Sequence, residues 1–486
     1  MSEQKTDGTG YNQISESDVQ ELITLLGEKY VLFRDREELE PYSHDEIPGT
    51  DYRAMPDVVV RPGTAEEISA IVKLANRRRI PITPRGAGSG LSGGAVPVCG
   101  GIVLGTDRLN RILDFDPANM MITVEPGVIT NEINDYVKAS GLFYAGYPMS
   151  LETCFIGGNV AENAGGGKAV KYGVTSRYVL GLEVVTPTGE LVTLGGKLVK
   201  DVTGYNMVPL FVGSEGTLGI FTKIILKLVP RPRFQVDLLC LFPTGEAAIA
   251  AVAKLPTISG VQPTSIEYID RLAFNEACRY LNESLTCGDC GAMLLVTLDG
   301  FDRDRLTEDY DAAGAFCQAA GATEVYVADS AATSERLWRL RRAIPEAFSL
   351  RYPTQSGEDV VVPPASIPRV IREFSAIAER YGICIPCYGH AGDGNVHARI
   401  CAGPEWDHAT WKQQLPVILR ELYAVVRDCG GRISGEHGIG HKRIHYMSCV
   451  VSEEYLDLLR TIKQALDPNG IMNPGKVIPP RNGDAR

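Results

Sequence analysis

The chain has no run of the roughly 18–20 apolar residues that a membrane span needs. Its first 18 residues are polar, with no apolar core behind them, so they do not read as a secretory leader. The expectation is a cytoplasmic protein, with any association with a membrane made through a partner. Positive charge is in deficit: Lys and Arg number 48 against 60 Asp and Glu, a net charge of −12. That balance argues against nucleic acid or an anionic membrane surface as the main partner, while leaving room for a small anion at a local basic site. Internal repeats and low-complexity stretches are absent, and so is a haem-attachment motif. Histidine is scarce: there are only seven, and six of them lie between positions 390 and 445.

The remaining composition, 44% hydrophobic and 22% charged over 486 residues, is that of an ordinary globular protein of two or three domains. Twelve cysteines are scattered along it, read as reduced thiols. Cys287/Cys290 and Cys384/Cys387 have CxxC spacing, but the pairs stand much further apart than in a zinc ribbon, and chance spacing is the reading adopted.

Periodicity gives an α+β pattern without regular βαβ alternation. A short helix is expected over 19–27. Thr64-Ala65-Glu66-Glu67 is a capping box, followed by Ile68, Ile71, Val72 and Ala75 at helical spacing. The run Arg77-Arg78-Arg79 suits the negative end of that helix better than it suits nucleic acid. Short strands are expected at 80–83, 101–105, 121–125, 182–186 and 220–229, with a helix over 130–139. Pro230-Arg231-Pro232-Arg233 marks a boundary. Beyond it come helical stripes (Ile367, Val370, Ile371, Phe374; Ile418, Leu422, Val425) and a helix over 452–466, stopped by Asp467-Pro468. The organisation expected is a disordered 1–18, a first domain over 19–231, a second over 232–430, and a C-terminal segment over 431–486.

Three glycine clusters stand out. Residues 85–94 (Arg-Gly-Ala-Gly-Ser-Gly-Leu-Ser-Gly-Gly) contain GxGxxG at Gly88, Gly90 and Gly93, but another strand follows instead of a helix, so the dinucleotide fingerprint fails in context. Consecutive glycines still let backbone N–H groups converge on an anion. Ile156–Gly167 and Gly213–Ile220 are equally glycine-rich, which suggests an extended ligand lying along bare backbone.

The histidines fall in two motifs. Gly389-His390-Ala391-Gly392-Asp393-Gly394-Asn395-Val396-His397 sets two imidazoles seven residues apart, and Ser434-Gly435-Glu436-His437-Gly438 follows. Two His and one Glu form a facial metal set that leaves coordination positions open. A structural hydrogen-bond cluster is the alternative. His441 and His445 have i, i+4 spacing, read as a surface or supporting pair.

Together the 84–94, 157–166 and 213–220 loops, Asn473-Pro474-Gly475-Lys476 and the histidine motifs resemble the vanillyl-alcohol-oxidase-type flavoproteins. Within them the chain resembles the FAD-linked D-2-hydroxy-acid dehydrogenases, such as the flavin subunit of glycolate oxidase and the D-lactate and D-2-hydroxyglutarate dehydrogenases. The resemblance implies a vanillyl-alcohol-oxidase-type FAD-binding domain and an α+β cap domain, with the C-terminal segment returning to the flavin. It implies non-covalent FAD, since Ser89 stands where some relatives carry a flavin-linking histidine. Arg85, Gly86, Ala87, Gly88, Ser89, Gly90, Leu91 and Ser92 would cradle the pyrophosphate. Thr153, Gly157, Gly158, Asn163 and Gly165 would line the flavin. Gly213, Glu215, Gly216, Leu218, Gly219 and Ile220 would hold the adenosine side, and Asn473 and Lys476 would return to the flavin.

For the chemistry, the resemblance implies that His390, His397 and Glu436 bind a divalent metal (zinc, iron or manganese) and that His437 is the general base, the alternative being a fourth metal ligand or a group that supports the ligands. Trp338-x-x-Arg341 matches the family's carboxylate clamp, with Arg339 and Arg342 left as solvated helix residues. Asp393 would support the turn. Relatives that prefer D-2-hydroxyglutarate carry a threonine at the position of Pro345 and a lysine at that of Gly357. Their absence implies a monocarboxylate, D-lactate or glycolate, although Arg399 can supply a different anion contact. The expected function is oxidation of a D-2-hydroxy acid to the 2-oxo acid, with electrons passed to an iron–sulfur subunit, an electron-transferring flavoprotein or a quinone. The alternatives are a D-2-hydroxyglutarate dehydrogenase, a same-fold oxidase, or a non-catalytic flavin electron-transfer subunit.

Overall fold

The computed structural model describes residues 10–285 and 287–481. The chain forms two compact units. The first comprises Met1–Ala164, Val174–Arg231 and His437–Arg486; the second comprises Gly165–Gly173 and Pro232–Glu436.

The first unit holds a four-stranded sheet in the order Val31–Leu32, Val58–Val60, Ile102–Gly105, Ile82–Arg85, and a five-stranded antiparallel sheet in the order Ile112–Asp116, Met121–Val124, Ile220–Lys227, Val179–Val185, Leu191–Gly195. The Ala65–Arg78 helix covers the smaller sheet. Its N-cap is Thr64, whose side chain accepts from the Glu67 amide, and Ile68, Ile71, Val72 and Ala75 are buried. The N-terminal helix runs Glu16–Leu26, beginning earlier than residue 19. Ser15 and Asp18 form a reciprocal capping box that starts it. Residues 10–18 are packed where disorder is expected: the Tyr11 hydroxyl donates to the Gly470 carbonyl at 2.6 Å. Residues 1–9 of that expected segment lie outside the described ones. The C-terminal stretch is stitched to the first glycine loop, with Asn473 Nδ2 donating to the carbonyls of Gly94 (2.9 Å) and Glu215 (2.8 Å).

The second unit is a seven-stranded antiparallel sheet. Its order is Glu324–Ala328, Phe234–Phe242, Ala292–Gly300, Ser265–Asp270, Cys387–His390, Asn395–Cys401, Gln355–Val361. Long amphipathic helices flank it. Ile367–Tyr381 buries Ile367, Val370, Phe374 and Ile377, and His408–Asp428 buries Ile418, Leu419, Leu422, Tyr423 and Val426. The Ala331–Arg351 helix is tied to the sheet through Asp237, which accepts from Thr297, Ser334 and the Trp338 indole N–H. No helix among the described residues is long and apolar enough to cross a membrane.

Candidate active site

The histidines of the second unit and the carboxylates beside them are set by four adjacent strands. His390 ends one strand and His397 stands in the next, joined by a turn at Ala391–Asp393 that has room only for glycine at its ends. Gly394 has φ +91°, and a Cβ there would strike the Val362 carbonyl; a Cβ on Gly389 would stand 2.5 Å from the Asn395 carbonyl oxygen. This tight hairpin brings the imidazoles edge to face, with ring centroids 5.3 Å apart. Glu436 completes the group: its Oε1 lies 3.3 Å from His390 Nε2 and 3.4 Å from His397 Nε2.

Two buried carboxylates, far away in sequence, stand against these side chains. In the sheet register Glu267 pairs with His390, and Asp359 pairs with His397. Glu267 Oε1 accepts from His390 Nδ1 at 2.6 Å, and its Oε2 accepts from Arg341 Nε at 2.7 Å. Burial pushes the Glu267 carboxyl up, but His390 and Arg341 outweigh it and hold it down at about 2. Asp359 Oδ2 accepts from Ser434 Oγ (2.9 Å) and from the amides of Gly435 (3.0 Å) and Glu436 (2.9 Å), while Oδ1 accepts from Asn395 Nδ2 (2.7 Å). Asp359, His397, Glu436 and His437 each offer a ligand atom, all within 4.8 Å of one another. The four donors on Asp359 occupy its oxygens, so its role is to shape the turn that delivers Glu436.

The donor set fits a divalent cation. Because His390 Nδ1–H is committed to Glu267, its Nε2 is the nitrogen left for a metal. Without a cation, a lone pair on Nε2 would face the Glu436 oxygen, so the metal-free protein keeps a proton there. Burial opposes that proton, but Glu267 and Glu436 hold the His390 pKa well above its usual value, while Glu436 is held well below its own.

Arg341 reaches this group from the Ala331–Arg351 helix, with its guanidinium over the Tyr388 ring at 4.9 Å. Its Nη2 is buried without a hydrogen-bond partner. Pro345, one turn on, lacks the N–H that would bond the Arg341 carbonyl. Arg339 and Arg342 lie on the exposed side of the helix, paired with Glu283 and Glu335. Asp393 Oδ1 accepts from the Asn395 amide at 3.3 Å within the turn, and burial raises its carboxyl to about 7. His441 and His445 lie in a turn and a 3-10 helix instead of an α-helix; their rings stand 6.4 Å apart, and His441 Nδ1 meets the Gly475 carbonyl. All twelve cysteines are free thiols.

In the first unit two glycines of the clusters are bare backbone: Gly90 in the first loop, and Gly158, which lies in the Ile156–Glu162 helix where a loop is expected. A Cβ on Gly158 would meet nothing within 4 Å, and one on Gly90 would meet only Asp45, at 4.0 Å. That is the surface a flavin nucleotide needs. The Arg85 side chain is spent on the carbonyls of His44 (2.8 Å) and Pro41 (3.0 Å), so it shapes the loop and leaves anion contact to backbone amides. Ser92 Oγ is likewise engaged, donating to Glu162 and accepting from the Gly94 amide. Thr153 is exposed, and Asn163 holds a left-handed turn at the end of the Ile156–Glu162 helix. Gly165 falls in the second unit. Glu215 Oε1 and Oε2 accept from the amides of Ile439 (2.7 Å) and Gly440 (2.6 Å), so it secures the stretch after His437. Lys476 Nζ donates to the Val96 carbonyl at 2.7 Å, and burial lowers its pKa to about 8.

Residues 56–195 match the FAD binding domain family, and residues 231–477 match the C-terminal domain of FAD linked oxidases. The chain belongs to the FAD-linked oxidase family. This FAD-linked oxidase is 37% identical over 436 residues to the glycolate oxidase subunit GlcD of Bacillus subtilis, covering 90% of this chain and 91% of that protein. It is 35% identical to a D-lactate dehydrogenase of Anaerostipes hadrus, covering 90% and 92% of the two chains. Among solved structures, it superposes on p-cresol methylhydroxylase with a TM-score of 0.78 at 18% identity, covering 96% of this chain and 98% of that one. It superposes on the 4-ethylphenol oxidase of Gulosibacter chungangensis with a TM-score of 0.77 at 22% identity, covering 95% and 97%. These likenesses show the fold, of vanillyl-alcohol-oxidase type and α+β. The FAD-linked oxidase is thus a flavin oxidoreductase.

Sequence reasoning missed Glu267, Asp359 and Tyr388. Asp359 is only a landmark in Asp-Val-Val-Val-Pro, and nothing local marks Glu267 within Ser265-Ile266-Glu267-Tyr268.

Proposed function

We propose that this flavoprotein oxidises a D-2-hydroxy acid to the 2-oxo acid, the Cα hydrogen leaving as hydride and the hydroxyl hydrogen as a proton. The observation that carries the reading is the convergence of His390, His397 and Glu436 on one point, with Arg341 tied to His390 through Glu267. FAD supplies the two-electron sink when bound, and a divalent cation at the His/His/Glu set supplies Lewis acidity toward the substrate hydroxyl.

The chain's own residues do the rest. Arg341 holds the substrate carboxylate through the buried donors that the protein leaves unpaired. His437 takes the hydroxyl proton. Asp359 and Glu267 hold the ligands in place, and the glycine loops with Asn473 and Lys476 hold the flavin. Zinc, iron(II) and manganese(II) all suit the ligand set. D-lactate and glycolate, the compounds in the names of the relatives, are the first substrates to try. Electrons then pass to a separate acceptor: an iron–sulfur subunit, an electron-transferring flavoprotein or a quinone.

Anaerobic titration of the purified protein with D- and L-lactate and glycolate, following the flavin absorbance, tests the reading. Stoichiometric bleaching by a D-2-hydroxy acid or glycolate is the expected result. Bleaching by no hydroxy acid overturns the reading and favours a non-catalytic electron-transfer subunit.

A further inference from the structure

We infer that the site is built for a D-2-hydroxy acid carrying a second anionic group, and that Arg399 holds that group. The inference rests on the hydroxy-acid reading above and narrows its substrate class.

Arg399 lies two residues beyond His397 on the Asn395–Cys401 strand, so the two side chains leave the same face of the sheet. It is buried, at 8% exposed. Its Nε donates to the Tyr388 hydroxyl at 3.0 Å and its Nη1 to Gln355 Oε1 at 2.8 Å, and both acceptors are neutral. Among the described residues Arg399 makes no ion pair. A guanidinium stays charged at any working pH, and a buried charge without a counter-charge is costly unless something else provides one. Arg341 differs: Glu267 matches its charge.

Tyr388 ties Arg399 to the reaction centre. Its ring lies 5.3 Å from the His397 ring, its face carries Arg341, and its hydroxyl carries Arg399. Two guanidinium groups therefore flank one tyrosine beside His397; Arg341 Nη2 is buried without a hydrogen-bond partner, and Arg399 forms no ion pair among the described residues. The first suits the carboxylate next to the reacting carbon. The second suits an anionic group further along the same small molecule.

The strand opposite leaves room for this. Gly357 pairs with Arg399 in the register, and a Cβ there would already stand 3.8 Å from the guanidinium carbon, so a longer side chain would cover it. Pro345 and Gly357 lack the side chains that relatives use for a second carboxylate. The cation is the cross-strand neighbour of Gly357. Short dicarboxylic 2-hydroxy acids are the class this arrangement takes.

The test uses the holoprotein under anaerobic conditions and compares second-order rate constants for flavin bleaching. D-malate and D-2-hydroxyglutarate are set against D-lactate and D-2-hydroxybutyrate. The expected result is a preference of about tenfold or more for the dianions, in line with a charge-assisted, two-pronged contact. Succinate and glutarate should also inhibit more strongly than propionate and butyrate, a comparison that needs no variant. Arg399→Leu should bring the dianion-to-monoanion ratio down to about one. Bleaching by D-lactate with no gain from a second carboxylate overturns this inference alone. Bleaching by no acid of either class overturns the hydroxy-acid reading and this inference with it.

Discussion

Glu267 binds His390 and, through its other oxygen, Arg341: Oε1 accepts from His390 Nδ1 at 2.6 Å and Oε2 from Arg341 Nε at 2.7 Å. One buried carboxylate thus sets the tautomer of a proposed metal ligand and the direction of the proposed clamp. Glu267→Gln leaves one carbonyl oxygen for two donors. The expected outcome is a metal affinity lower by about 10- to 100-fold, read by titrating the metal-free protein with cobalt(II) and following its absorption bands. A Michaelis constant for substrate that rises in the same variant would mark the shared role. Unchanged affinity would reduce Glu267 to a core residue.

His437 directly follows Glu436 and is proposed as the base, although it also offers a ligand atom to the same cluster. His437→Ala should slow flavin bleaching by about 10²- to 10⁴-fold, as loss of a general base does. Metal content by elemental analysis should stay at the wild-type level. Loss of metal together with activity would make His437 a ligand instead of a base.

Arg341→Lys keeps the charge but removes the planar fork. A charge-assisted hydrogen bond contributes about 1.5–3 kcal/mol, so kcat/KM should fall by roughly 10- to 100-fold, mostly through KM. A variant with wild-type KM would exclude Arg341 from carboxylate binding.

Asp270 gives a stability prediction at the edge of the site. Its Oδ1 accepts from the Ala273 amide and its Oδ2 from the Cys387 amide, so it links a helix start to the strand that ends in His390. Burial outweighs these donors and raises the carboxyl from 3.8 to about 6. The folded state therefore favours the protonated acid. That stabilisation is full below about pH 4 and is lost as pH rises through about 6. Over that window it amounts to at most about 3 kcal/mol. Denaturant midpoints at pH 5 and pH 7 should show the wild type losing stability with rising pH, and Asp270→Asn should lose less. Equal losses in both proteins would contradict the assignment.

The sequence shows the reaction centre where chemistry is local. His390 and His397 sit in one nonapeptide whose glycines are required by the turn, and Glu436 sits in a short motif of its own. The helix cap at Thr64 is equally local, and it appears in the structure. What sequence could not show is register. Glu267 and Asp359 become partners of the histidines only when strands distant in the chain align, and no pattern within Ser-Ile-Glu-Tyr announces that alignment. The N-terminal helix begins earlier than expected because a reciprocal Ser15–Asp18 cap lies upstream of the apolar stripe. Arg399 was visible as a residue. Its lack of an acidic partner was not, because that depends on three strands at once.

In the proposed reaction a cation at His390, His397 and Glu436 enables a hydroxy acid to reduce the flavin. The most direct measurement is anaerobic bleaching before and after removal of metal by a chelator, followed by addition of zinc, manganese(II) or iron(II). The account predicts that chelation abolishes bleaching while the flavin stays bound, and that at least one of these metals restores it. Bleaching at an undiminished rate in protein shown by elemental analysis to be metal-free would contradict it.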